Sequence, residues 1–174
     1  MQRRNMRKLA VFMTLSLIFA VPPVANASPL YSVTKIYDGD TITLSNGTKV
    51  RLLQIDTPEL SPAECYGKDA RQALIKLIDQ SKITLEGDKV SDDKDRYGRL
   101  LRYVYAGKIN LNLKLVEIGA ATPYFYQGEK GKYSSQLLKA AQNAQAKKIG
   151  LWKLCPKTKL EPSKSANTGA TLTP

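Results

Sequence analysis

The stretch from residue 31 to residue 59 constrains the fold most. Three short runs rich in β-branched and aromatic residues, 31–37, 41–44 and 49–55, alternate with the turn sequences Asp38-Gly39-Asp40 and Ser45-Asn46-Gly47. Asn-Gly between two such runs is a strong hairpin signal, because both residues tolerate the positive φ angles of a tight turn. The chain therefore opens as a β-meander. Asp38-Gly39-Asp40 falls at the bend between the first two strands, and Asp56-Thr57-Pro58-Glu59 follows the third. Alternation along a regular strand puts the side chains of Arg51 and Asp56 on opposite faces, so the two converge only if the strand bends or ends near Ile55.

Further on, Ala70, Leu74, Leu77 and Ile78 recur at helical spacing within residues 68–80. Residues 82–86 read as a fourth strand and 100–105 as a fifth, with the polar run 91–99 between them. A second helix fits 111–118, stopped by Gly119, and a third fits 134–149, with Leu137, Leu138, Ala141, Ala144 and Ile149 on one side and Gly150 after it. Five strands interrupted by a helix, with more helix at the end, predict an α+β fold. The expected form is a five-stranded Greek-key barrel of the oligonucleotide-binding type (OB-fold) with about three α-helices packed on it. A chain of 174 residues holds one such domain, expected over 28–155. Residues 156–174 offer almost nothing to bury and read as a flexible polar tail.

The formal charge is +12, and Arg3, Arg4, Arg7 and Lys8 fall within residues 1–27, where no acid occurs, so +8 belongs to the remainder. Such a field suits nucleic acid, an anionic membrane surface or an acidic polysaccharide, or serves solubility alone. Basic residues up to Lys8, an apolar stretch over 9–21 and Ala25-Asn26-Ala27 before Ser28 have the form of a signal peptide over 1–27. The apolar stretch is short for a bilayer span, and an uncleaved anchor is the alternative. The expectation is export, to the medium, the periplasm or the cell envelope, with no membrane span after cleavage. In that oxidising setting Cys65 and Cys155 are expected to form one disulfide, closing a loop of about 90 residues worth roughly 4–5 kcal/mol in chain entropy; two buried free thiols are the alternative. Histidine is absent. That excludes serine–histidine triads, cysteine–histidine proteases, histidine-based ribonucleases and histidine-ligated zinc hydrolases. Hydrolytic chemistry must then run on carboxylates, arginine, lysine or tyrosine.

Asp40, Asp56, Glu59 and Arg51 stand at the edges of apolar runs rather than in a charged tract. That placement suits a small oxygen-lined seat for a hard cation, with a spare carboxylate and a guanidinium beside it. Ile36-Tyr37-Asp38-Gly39-Asp40-Thr41, Arg51-Leu52-Leu53-Gln54-Ile55-Asp56-Thr57-Pro58-Glu59 and Asp95-Arg96-Tyr97-Gly98-Arg99 resemble, in order and spacing, the three signatures of the staphylococcal nuclease (thermonuclease) family. The likeness continues through 115–120 to 146–152. The resemblance implies an OB-fold nuclease that uses Ca²⁺, with Mg²⁺ or another hard dication as second choice. It would cleave DNA and RNA at the 5′-oxygen–phosphorus bond, leave 3′-phosphate ends, prefer single strands and act as a monomer. It places Asp40, Asp56 and the Thr57 backbone carbonyl on the metal, with Asp38 in the outer shell. Glu59 would orient or deprotonate the attacking water, Arg51 and Arg99 would hold the phosphate and its transition state, and Tyr97 and Tyr124 would bracket the terminal phosphate and a base. The chemistry is coherent in itself: guanidinium groups stay protonated and fit phosphate oxygens, and without histidine a carboxylate is the available base.

Two other readings stay open: a non-catalytic nucleic-acid-binding barrel, and a basic envelope protein that binds an acidic polymer. Tyr124-Phe125-Tyr126 is either a stacking platform or the rim of a core. Between Glu59 and Tyr66 the chain is short and carries Ser61-Pro62-Ala63-Glu64-Cys65, where the resembled enzyme has a longer lysine-rich loop. Substrate grip and the balance of internal and end cutting are therefore open.

Overall fold

Asn46-Gly47 closes the expected hairpin, with the Leu44 amide donating to the Thr48 carbonyl at 2.9 Å. It joins β2 (Thr41–Leu44) to β3 (Lys49–Leu52), and β1 (Val33–Ile36) pairs with β2 on the other side. The computed structural model describes residues 28–169, so the expected signal segment 1–27 and residues 170–174 lie outside it. β5 (Ile83–Glu86) and the long β6 (Leu100–Ala106) are antiparallel, and β6 runs parallel to β3, giving the order β1-β2-β3-β6-β5. Tyr31 and Ile83 then exchange backbone hydrogen bonds of 2.8 and 2.9 Å, joining the first edge to the last. The five-stranded OB barrel is closed.

Val50 and Leu52 point into the barrel while Lys49 and Arg51 point out, as strand alternation requires. Ile42, Leu44 and Val104 fill the same interior. Three helices cover it: α1 (Gly67–Ile78) through Ala70 and Leu74, α2 (Leu111–Glu117) through Leu111, Leu115 and Val116, and α3 (Ser134–Ala146) through Leu137 and Ala141. The third helix stops before residue 149 because Lys148 turns left-handed (φ 51°); one further turn, α4 (Leu151–Leu154), follows. Among the described residues no helix is long and apolar enough to cross a membrane.

The third strand does not run to Ile55. It ends at Leu52, Gln54 takes a left-handed φ of 59°, and a two-residue strand, β4 (Ile55–Asp56), pairs with β8 (Thr122–Pro123); β7 (Ile109–Asn110), earlier in the chain than β8, pairs with β6. The break resets the alternation, so Ile55 enters the core and Asp56 comes to the side of Arg51. The Leu53 amide, the Leu53 and Gln54 carbonyls and the Gln54 side chain all have partners, as a buried irregular segment demands. Leu53 donates to the Arg102 carbonyl (2.8 Å) and accepts from Asn112 Nδ2 (2.8 Å), while the Gln54 carbonyl accepts from the Tyr124 amide (3.0 Å). The Gln54 side chain meets the hydroxyls of Tyr103 (2.8 Å) and Ser134 (3.1 Å) and donates to the Glu129 carbonyl (3.2 Å).

The flexible tail expected from Pro156 onward needs correction over residues 156–169. Its Leu160 packs against the core cluster, Ala166 and Thr168 are buried, and its backbone bonds to three parts of the domain. Composition misled because this segment is held by backbone hydrogen bonds rather than by apolar burial. Cys65 and Cys155 are joined as a disulfide, which fixes the start of that segment beside the loop after Glu59.

Candidate active site

Thr41 and Arg51 stand directly opposite each other on β2 and β3, on the outer face of the barrel. Arg51 is the hub. Its Nη1 donates to the Leu52 and Ile55 carbonyls (3.0 and 2.9 Å) and lies 3.0 Å from Asp40 Oδ2, while Nη2 lies 2.5 Å from Asp56 Oδ1. One guanidinium thus spans the gap between β3 and β4 and draws both aspartates together. Asp40 also accepts from the Thr57 amide and hydroxyl (both 2.9 Å) through Oδ2 and from the Thr41 hydroxyl (3.1 Å) through Oδ1. Gly39 permits this approach: a Cβ there would sit 2.7 Å from the Thr57 side chain. Asp38 accepts from the Asp40 amide (3.0 Å) and shapes the bend.

The electrostatics are those of a cation seat. Burial holds Asp40 and Asp56 above the usual carboxylate range, and the Arg51 charge pulls both back down. Glu59, exposed at the rim, is raised by partial desolvation and by the charges of Asp38 and Asp56. Burial works against the Arg51 charge, but Asp40, Asp56, Asp38 and Glu59 outweigh it, so the guanidinium is harder to deprotonate than usual. Four carboxylates share one guanidinium. That excess of negative charge, presented by oxygen donors alone, fits a hard dication. Among the described residues no group of three or more Asp, Glu, Cys or His is arranged to enclose a metal unaided. A cation here would be held by two carboxylates, with backbone oxygen and water completing the shell.

The third motif forms a tight turn ahead of β6. Asp95 Oδ1 accepts from the amides of Tyr97 and Arg99 (2.9 and 3.0 Å), Asp95 Oδ2 accepts from Arg99 Nε (2.6 Å), and Gly98 takes φ 77°, which suits glycine. Asp95 therefore builds the turn and aims Arg99, whose Nη1 reaches the Thr41 hydroxyl at 3.4 Å. A continuous line of contacts, Arg99–Thr41–Asp40–Arg51–Asp56, crosses the site. Tyr97 is exposed with Arg96 and Arg99 against its ring, beside a cleft of about 510 Å³ bordered by Lys49 and Lys94. Tyr124 follows β8, its backbone tied to Gln54 two residues before Asp56.

Asp38, Asp40, Arg51, Asp56, Thr57 and Glu59 come together as one group, with Arg99 joined to it through Thr41. Sequence reasoning missed Thr41 as a bridge, Asp95 as the residue that aims Arg99, and Gln54 as the break that brings Asp56 round. It also missed Ala166, whose amide donates to Asp56 Oδ2 at 2.7 Å. Thr41 and Asp95 stand inside the quoted motifs and could have been found there. For Ala166 no local signal exists.

The sequence model of the family described as Staphylococcal nuclease homologue matches residues 49–154. A thermonuclease of Staphylococcus hyicus is 37% identical over 149 residues, covering 81% of this chain and 86% of the relative. An uncharacterized endonuclease of Haemophilus influenzae is 43% identical over 124 residues, 69% of this chain and 64% of the relative. Endonuclease YncB of Bacillus subtilis is 37% identical over 140 residues, 75% and 66% respectively.

Proposed function

From the premise that this chain belongs to the staphylococcal nuclease family and is a phosphodiester-hydrolysing nuclease, we propose that it is an exported, Ca²⁺-dependent enzyme that cleaves DNA and RNA to 3′-phosphate products. The observation that carries the reading is the meeting of Asp40, Asp56 and Arg51 on one outer face of the barrel, with Glu59 at its rim. In this reading Asp40, Asp56 and the Thr57 carbonyl hold the cation, and Asp38 supports them from the outer shell. The dication supplies positive charge against the dianionic five-coordinate state.

The remaining work falls to side chains. Glu59 accepts the proton of the attacking water, and its raised proton affinity strengthens it as a base. Arg51 and Arg99 offer planar donor forks to the phosphate oxygens, and stabilise the developing charge more than the ground state. Tyr97 and Tyr124 border the substrate path, where a phenol ring can stack on a base or bond a phosphate. Lys49 and Lys94 beside Tyr97 add electrostatic attraction for a flexible strand. Single strands are the favoured form, and the active species is a monomer.

The test is cleavage of single-stranded DNA and of RNA with Ca²⁺, repeated with chelator. Cleavage that needs the cation and leaves 3′-phosphate ends is expected. A folded, Ca²⁺-supplied protein that binds DNA without cutting it would refute the Ca²⁺ reading.

A further inference from the structure

We propose that the C-terminal segment 160–169 is a working part of this site, in which the Ala166 backbone amide positions Asp56 for the cation. The inference rests on Asp56 being a metal carboxylate. The segment is fixed at three places. The Pro162 carbonyl accepts from the Phe125 amide at 2.6 Å, next to Tyr124. The Ala166 amide donates to Asp56 Oδ2 at 2.7 Å. At the far end the Thr168 hydroxyl donates to the Cys65 carbonyl at 2.7 Å, and the Cys65 amide donates to the Gly169 carbonyl at 2.8 Å. Ala166 and Thr168 are buried, 9% and 3% exposed. The path runs from the end of β8 across Asp56 to the loop after Glu59.

The disulfide makes this path a closed circuit. The segment leaves the domain at Cys155, bonded to Cys65, and returns by hydrogen bonds to that same Cys65. Both ends are thus pinned at one residue, which lowers the entropy cost of laying the middle across the site.

What the segment brings to Asp56 is a neutral donor and not a competitor. The residues at the contact are small, Ser165 and Ala166, and the segment's own lysine next in sequence, Lys164, is exposed and pairs with Glu161. With Oδ1 on Arg51 and Oδ2 on Ala166, both carboxylate oxygens are fixed. Each oxygen accepts two bonds, so each retains one direction for a cation. Donors that fix a ligating carboxylate in this way commonly change metal affinity by about 10–100-fold when removed.

The experiment uses the full chain and follows Ca²⁺ binding by calorimetry and by the Ca²⁺-dependent rise in Tm. Ala166→Pro deletes the amide proton, Ala166→Gly keeps it, and Asp56→Asn tests the underlying assignment. The expected result is Ca²⁺ binding weakened about 10–100-fold in Ala166→Pro, near wild type in Ala166→Gly, and lost in Asp56→Asn, with unchanged circular dichroism. Thr168→Val, which removes one of the two bonds of the far anchor, should weaken binding in the same direction. If Asp56→Asn abolishes binding while Ala166→Pro leaves it unchanged or tightens it, the positioning role is overturned and the site assignment survives. If Asp56→Asn binds Ca²⁺ like the wild type, both fail.

Discussion

Asn112 offers the sharpest test of how the barrel delivers Asp56 to Arg51. It is fully buried at the start of α2; its Oδ1 accepts from the Val104 amide (2.9 Å), and its Nδ2 donates to the Leu53 carbonyl (2.8 Å), the residue where β3 breaks. Asn112→Leu keeps the size and removes both bonds, along with a longer one from Nδ2 to the Arg102 carbonyl (3.3 Å), which keeps the Leu53 amide as its donor. Two backbone groups are then stranded away from water, at about 1–3 kcal/mol each, so the loss is about 2–6 kcal/mol. For a domain of this size that lowers Tm by roughly 6–18 °C. A buried apolar side chain returns part of it, so the lower half of the range is the better expectation. Urea denaturation and calorimetry measure the loss, and the m-value checks that the unfolded state is unchanged. Freed at Leu53, the break should also hold Asp56 less firmly, so the Ca²⁺ concentration for half-maximal cleavage should rise. A variant within 0.5 kcal/mol of wild type (about the spread of an ordinary surface substitution), with unaltered Ca²⁺ response, would remove Asn112 from the account.

Glu59→Gln should lower kcat by about 10²–10⁴-fold with DNA affinity nearly unchanged; equal turnover would take Glu59 out of the role of base. Reduction of Cys65–Cys155 should add the mass of two protons and cost about 2–5 kcal/mol of stability; no mass change would show two free thiols. Asp88 accepts from the Lys132 and Val90 amides and lies 2.8 Å from the Tyr103 hydroxyl, and although partial burial raises its proton affinity, these bonds outweigh it and hold the carboxyl below the usual range. Its contribution is therefore complete above the ordinary carboxylate pKa of about 4 and is lost as pH falls through the lower folded value. Asp88→Asn should flatten the acid limb of the stability curve below about pH 4; an identical limb in both proteins would exclude it.

The parts of the fold that were legible in sequence are those where local chemistry and tertiary structure agree. Asn46-Gly47 specifies its hairpin, Ala70 and Leu74 line a helix, and Asp38-Gly39-Asp40 bends because Thr57 needs the space over Gly39. The acids and arginines of the site were legible as residue types in three short motifs. Their convergence was not, because it depends on the break at Leu53-Gln54. That break is held by Asn112, Tyr103 and Ser134, partners distant in sequence. The closing segment was illegible for a related reason. Its amides and carbonyls do the binding, and every residue has those, so Lys, Ser and Pro composition pointed to a free tail.

The short strand bearing Asp56 has a consequence for the order in which the molecule comes into being. Its sheet partner among the described residues is Thr122–Pro123, encoded long after the acids themselves. A polypeptide that has emerged only as far as residue 59 already carries Asp38, Asp40, Asp56 and Glu59, yet lacks the strand against which Asp56 is set. Domains fold as units once their distant contacts are available. The site around Asp56 is therefore assembled only after Thr122–Pro123 has been made, and a product terminated before that strand should lack nuclease activity.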